Sequence, residues 1–151
     1  MTADTVVPTA AELAASCLDL ISKRDAAAVG ELFSEDGQWE LAYAFGRISN
    51  DHRVLQGRHR ITRFHAQIAA FTISVAFSDV EVSVVDDRLA FVECRSEAQT
   101  IKGVPYRNYY MVKVVAEQGT IRRWLEFFDP RPSEVLQDLM AAGTGSAEAG
   151  A

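Results

Sequence analysis

The sequence predicts one α+β domain in which a cone-shaped, strongly curved antiparallel sheet and three helices enclose a pocket. Three observations carry this. Apolar residues recur at helical spacing early in the chain and at a period of two later. Short turns join the late strands, which makes them an antiparallel meander. The order is helix, helix, strand, helix, then four strands, which places helices on one face of the sheet. A curved sheet closed by helices leaves a conical cavity, a natural place for a ligand.

Residues 1–8 read as a loose arm. Thr9-Ala-Ala-Glu12 is a capping box that starts a helix, with Leu13, Cys17, Leu20 and Ile21 on its apolar face. Asp25 can cap a second, shorter helix through Ala26–Phe33. Ser34 to Gly37 is turn chemistry. From Gln38 to Phe45 the period becomes two, and Trp39, Leu41, Tyr43 and Phe45 share one face of a strand. Gly46 to Gly57 reads as a polar loop. Arg58 to Phe71 is helical, with Ile61, Phe64, His65 and Ile68 on one stripe. Strands follow at about Ser78–Val85, Arg88–Gln99, Val104–Ala116 and Thr120–Asp129. Pro130 and Pro132 stop the last one, and Ser133–Met140 makes a short final helix. The domain therefore spans 9–140, and the Gly/Ala/Ser-rich stretch 141–151 reads as a disordered tail.

The 151 residues carry a net charge of −6, 48% hydrophobic and 24% charged residues, which is ordinary for a globular domain. An acidic chain without a basic stripe argues against nucleic acid and against anionic membranes as partners. No apolar stretch is long enough to cross a bilayer, and Met1 to Thr9 lacks the features of a signal peptide. The expected location is the cytoplasm, where Cys17 and Cys94 remain buried thiols. Three scattered histidines without a His/Cys cluster predict no metal site. No phosphate loop or nucleophile elbow is present, and no cofactor is expected.

The polar residues inside the predicted elements are the candidates for function. In Arg88–Gln99, one face is small and apolar, and the other runs from Leu89 and Phe91 to Glu93, Arg95 and Glu97. That second face is either solvated, with cross-strand ion pairs, or part of the pocket wall, where Arg95 would set the protonation of nearby carboxylates. Glu126 lies between Trp124 and Phe128 on one face, so it is either at an edge or buried with a raised pKa. Tyr106, Asn108 and Tyr110 share a face and can orient an oxygen or pack at the edge of the core. His65 is either a satisfied core residue or a base facing the pocket. Asp129, before Pro130, reads as a turn or capping residue.

Four segments resemble the SnoaL-like branch of the nuclear-transport-factor-2-like superfamily. They are Leu32-Phe-Ser-Glu-Asp-Gly-Gln-Trp39-Glu40, Gly57-Arg-His-Arg-Ile61, Pro105-Tyr-Arg-Asn108-Tyr-Tyr110 and Ile121-Arg-Arg-Trp124-Leu-Glu126-Phe-Phe-Asp129-Pro130. The resemblance spans roughly 9–140 and implies the same cone of sheet and helices, usually dimeric. The superfamily holds polyketide cyclases, ketosteroid isomerases, epoxide hydrolases and non-catalytic binding domains, so fold alone does not assign activity. By similarity to the epoxide hydrolases, Arg95, Glu97 and Glu126 stand where those enzymes carry an Arg and two Asp. The water-holding Tyr-x-Asn of that branch is replaced by Trp39-Glu-Leu41, which counts against water activation and leaves ring closure less affected. The isomerase pattern would place its neutral acid near Tyr110 and its base near Asp51, and the cyclase pattern would use Glu126 or Asp129.

The resemblance and the residues together imply a cofactor-free acid–base enzyme acting on a small hydrophobic, oxygenated molecule, by cyclisation, isomerisation or epoxide opening. The expected catalytic residues are Glu126, Glu97 and Arg95. The expected substrate-binding residues are Trp39, Tyr43, His65, Asn108, Tyr110 and Trp124. A non-catalytic binding or dimerisation module of the same fold is the alternative. A homodimer would cover the outer sheet face around Met111 and Val115.

Overall fold

The period-two stretches of the second half become four long strands, and they dominate the computed structural model, which describes residues 5–42 and 53–149, with side chains to 142. The order of elements is α1 (Ala10–Ser22), α2 (Ala26–Glu31), β1 (Phe33–Leu41), β2 (Arg53–Gln56), α3 (Arg58–Phe71), β3 (Thr72–Asp86), β4 (Leu89–Thr100), β5 (Pro105–Glu117), β6 (Thr120–Phe128) and α4 (Pro130–Ala149). The six strands form one curved, unclosed sheet in the order β2-β1-β6-β5-β4-β3. All neighbours are antiparallel except β1 and β6, which run parallel. The fold is thus the α+β cone expected from the sequence, with one parallel pair in an otherwise antiparallel sheet.

The helices lie on the concave face. Thr9 caps α1 by accepting from the Glu12 amide, and Leu13, Cys17 and Leu18 bury one side of the helix. Beneath it, Ala90, Val92, Val114, Ala116 and Ile121 fill the narrow end of the cone. Gly30 allows α2 to sit against α3, because a Cβ there would collide with the Thr62 hydroxyl. The Arg58 guanidinium donates twice to the Phe33 carbonyl, at 3.0 and 2.8 Å, and ties the start of α3 to β1.

Several boundaries differ from the sequence reading. β1 begins at Phe33, because the expected turn Ser34–Gly37 is absorbed as an irregularity in its pairing with β6. The expected loop 46–57 contains the short strand β2, which pairs with β1. β3 starts at Thr72, directly after α3, with Asp79 in the left-handed region at an irregularity in its pairing with β4. Helix α4 continues through Ala149, over much of the stretch expected to be disordered. Its extra turns are rich in alanine, the strongest helix former. α4 lines the cavity together with α1 and α3, and α2 contributes none of its lining residues. Cys17 and Cys94 are both free and buried. Among the described residues no helix is long and apolar enough to cross a membrane.

Candidate active site

The cavity exists because side chains on the concave side of β4 become small toward its far end. Cys94, Ser96 and Ala98 point inward there. They leave a space of about 310 Å³, bounded by α1, α3, α4 and the sheet. Its walls are mostly apolar and aromatic, with Trp39, Phe64, Phe77, Trp124 and Phe128 among them. Trp39 and Trp124 come from the paired strands β1 and β6 and stack with centroids 5.0 Å apart.

Glu126 enters this space from β6. It is the only carboxyl group lining the cavity among the described residues. Burial raises its pKa from 4.5 to about 7. Trp124 Nε1 donates to Glu126 Oε2 at 3.2 Å and acts in the opposite direction, favouring the carboxylate. The Trp39 indole N–H makes no hydrogen bond of good geometry, yet it lies near enough to Glu126 to act in the same sense. Among the described residues no cation compensates the burial, so Glu126 is poised between its two protonation states near neutral pH.

Hydroxyl groups line another part of the wall. Ser96 Oγ donates to the Tyr110 hydroxyl at 3.3 Å. Tyr110 and Tyr106 share a hydrogen bond of 3.0 Å, and Tyr106 shares one of 3.0 Å with Ser133 at the start of α4. Asn108 holds this row from behind. Its amide donates to Tyr106 at 2.8 Å and to the Asp129 carbonyl at 2.9 Å, while its oxygen accepts from the Asp129 and Tyr109 amides. Burial raises the Tyr110 pKa further above its ordinary value, with the nearby Tyr106 and Glu126 adding to the effect, so its hydroxyl keeps its proton.

The structure brings Glu126, Trp39, Trp124, His65 and Tyr110 together around one cavity. It places two other expected catalytic residues elsewhere. Arg95 and Glu97 lie on the convex face, with side chains 65% and 52% exposed. Arg95 pairs with Asp79 at 3.5 Å and sits over the Tyr109 ring, while Glu97 pairs with Arg107 at 3.4 Å. The inward row of β4 is the even one, so the expected pocket wall of Arg95 and Glu97 is corrected to a solvated face. Asn108 is also not a lining residue, because its amide is spent on the backbone and on the hydroxyls behind the cavity. Tyr43 and Asp51 fall outside the described residues. Asp129 accepts from the Arg131 amide and pairs with the Arg131 guanidinium at the head of α4, as a capping residue does.

His65 is 5% exposed and packs edge-on against Trp39, with centroids 4.5 Å apart. Burial lowers its pKa to about 3, so its imidazole is neutral at ordinary pH. Its Nε2 has no hydrogen-bond partner. The sequence reading missed Ser96, Ser133 and Arg53 as lining residues. Ser96 has the same parity as Cys94 and Ala98, and that parity was the available signal.

The SnoaL-like domain model matches residues 14–124, and the chain belongs to that family. Solved structures share its fold. A Bacillus subtilis protein provisionally described as an isomerase superposes with a TM-score of 0.70 at 21% identity, over 82% of this chain and 88% of that one. A Pseudomonas putida KT2440 protein provisionally described as a polyketide cyclase gives 0.66 at 19% identity, over 80% and 92%. SalBIII, an epoxide hydrolase/cyclase-like enzyme in pyran ring formation of the polyether salinomycin, gives 0.63 at 17% identity, over 80% and 90%. At such identities the likeness establishes the fold. No curated protein sequence matches the chain.

Proposed function

We propose that this protein is a cofactor-free acid–base enzyme that isomerises or cyclises a small hydrophobic molecule bearing carbonyl or hydroxyl groups, with Glu126 moving the proton. The observation that carries this reading is a single carboxyl group, with a pKa near 7, facing an apolar cavity beside hydroxyl donors. A group of that pKa takes and returns a proton with comparable ease at neutral pH. As a carboxylate, Glu126 removes a proton from the carbon beside a substrate carbonyl. Negative charge then develops on the carbonyl oxygen, where the Tyr110 hydroxyl, held by Tyr106 and Ser96, can donate a hydrogen bond. Glu126, now a carboxylic acid, returns the proton. Delivery to a different carbon completes an isomerisation. Delivery to the oxygen formed when the enolate carbon attacks a second carbonyl completes a ring closure.

The exposed position of Arg95 and Glu97 supports one-carboxyl chemistry over the two-carboxylate scheme. Epoxide hydrolysis by the two-carboxylate scheme needs an acid and a base acting together, and only one carboxyl reaches this cavity among the described residues. One shuttling carboxyl suffices for isomerisation or aldol-type closure. The test is exchange of the α-protons of bicyclic ketones and diketones for deuterium in heavy water, followed by mass spectrometry. The wild type is expected to accelerate exchange for at least one ketone, and Glu126→Gln is expected to lose that acceleration while keeping its circular-dichroism spectrum. Equal exchange by the two proteins would overturn the assignment and leave a binding module.

A further inference from the structure

Among the described residues the cavity has one charged lining residue besides Glu126, and that residue is Arg53. Sheet register fixes its place. Leu41 of β1 pairs with Arg53 of β2 on one side and with Glu126 of β6 on the other. Residues paired across strands point to the same face, so Arg53, Leu41 and Glu126 form one inward row. Two inter-strand spacings separate Arg53 from Glu126, about 10 Å between Cα atoms. Arg53 is exposed, and it has no ion pair or side-chain hydrogen bond among the described residues. Arg60, Arg63 and Arg88 also lack a side-chain acceptor among the described residues, but of these unpaired arginines Arg53 alone lines the cavity. An unspent guanidinium at the rim of an apolar cavity, in line with a half-buried acid, is placed to receive an anionic group of a ligand.

We propose that Arg53 is a ligand-binding residue that takes the carboxylate of an otherwise apolar substrate, whose other end then lies against Glu126 and Tyr110. The planar fork of arginine matches a carboxylate, and the apolar wall that includes Leu41 and Trp39 accepts the ligand's body. This inference rests on the enzymatic reading for the identity of the far end, but the anion site itself does not need catalysis. The two are therefore separable by experiment.

Both tryptophans of the chain line the cavity, so their fluorescence reports its occupancy. The probes are a series of tetralone and benzylic carboxylates, each with its matching carboxamide of the same shape. The wild type is expected to bind at least one carboxylate about tenfold more tightly than its carboxamide, which is the range for a charge-assisted contact in partial solvent. Arg53→Gln is expected to abolish that preference without changing carboxamide affinity, and Arg53→Lys to retain part of it. Added salt should weaken the carboxylates alone. Equal binding of acid and amide, no binding by any carboxylate, or an unchanged preference in Arg53→Gln would overturn the assignment. If the preference persists in Glu126→Gln while proton exchange is lost, both readings stand. If the preference is present but no exchange depends on Glu126, the anion site stands and the enzymatic reading fails.

Discussion

Glu126 and Glu40 occupy neighbouring strands and adjacent rows of the sheet, yet their chemistry differs. Leu41 pairs with Glu126, and one residue earlier Glu40 pairs with Leu125, so the two carboxyls point to opposite faces. Glu40, 5% exposed, receives two hydrogen bonds from the Arg123 guanidinium, at 2.6 and 3.0 Å. The pairing also raises the Arg123 pKa further above its already high value. Glu126 faces the cavity with an indole N–H and, among the described residues, no cation paired to it. A buried carboxyl with a bidentate arginine is held ionised and serves structure. A buried carboxyl without one is held near its titration point and is available for proton transfer. The difference comes from the face each residue occupies, which strand parity decides.

This contrast can be broken at either end. The largest expected effect is on proton transfer. Glu126→Gln should lower exchange or turnover by about a hundredfold to ten-thousandfold, the usual range for a removed acid–base group, as read by deuterium incorporation. Next is the pH dependence of stability. In the folded state Glu126 binds its proton more tightly than in the unfolded chain, with a pKa of about 7 against 4.5. Its cost is therefore absent well below pH 4.5, grows as the pH rises, and is complete above about pH 7. The wild type should lose about 3 kcal/mol of stability across that window from this group, and urea unfolding of Glu126→Gln should show that slope removed. A smaller loss is expected from Glu40→Gln. Breaking the pair leaves Arg123, whose side chain is 35% exposed, partly hydrated, and the cost should be about 2 kcal/mol. Denaturant midpoints would measure it, with proton exchange left intact. Least of all, Arg95→Ala and Glu97→Gln should each change stability by less than about 0.5 kcal/mol and leave exchange unchanged, because their ion pairs are solvated.

Much of this site was readable from the residues, and its gaps have physical causes. Trp124, Glu126 and Phe128 alternate in a strand that Pro130 ends, so their shared face followed from the pattern, as did that of Trp39 and Leu41. For β4, a period of two separates two faces but does not say which is concave. Arg95 and Glu97 were placed on the pocket side by resemblance to a two-carboxylate enzyme, whereas the small residues Cys94 and Ala98 marked the side where space is left. Glu40 alternates with Trp39 and Leu41 and so falls on the other face of the strand, and its partner Arg123 is far away in sequence. Only the parallel pairing of β1 with β6 joins them. Arg53 escaped notice for a related reason: β2 is four residues long and carries little periodicity of its own.

The central claim is that Glu126 is a cavity-facing carboxyl that titrates near neutrality. Its side-chain carboxyl carbon can be followed by nuclear magnetic resonance in protein labelled at glutamate, with the signal assigned by its absence in Glu126→Gln. A titration midpoint near pH 7 is the predicted result. A midpoint near 4.5, the ordinary value for a solvated glutamate, would contradict the account.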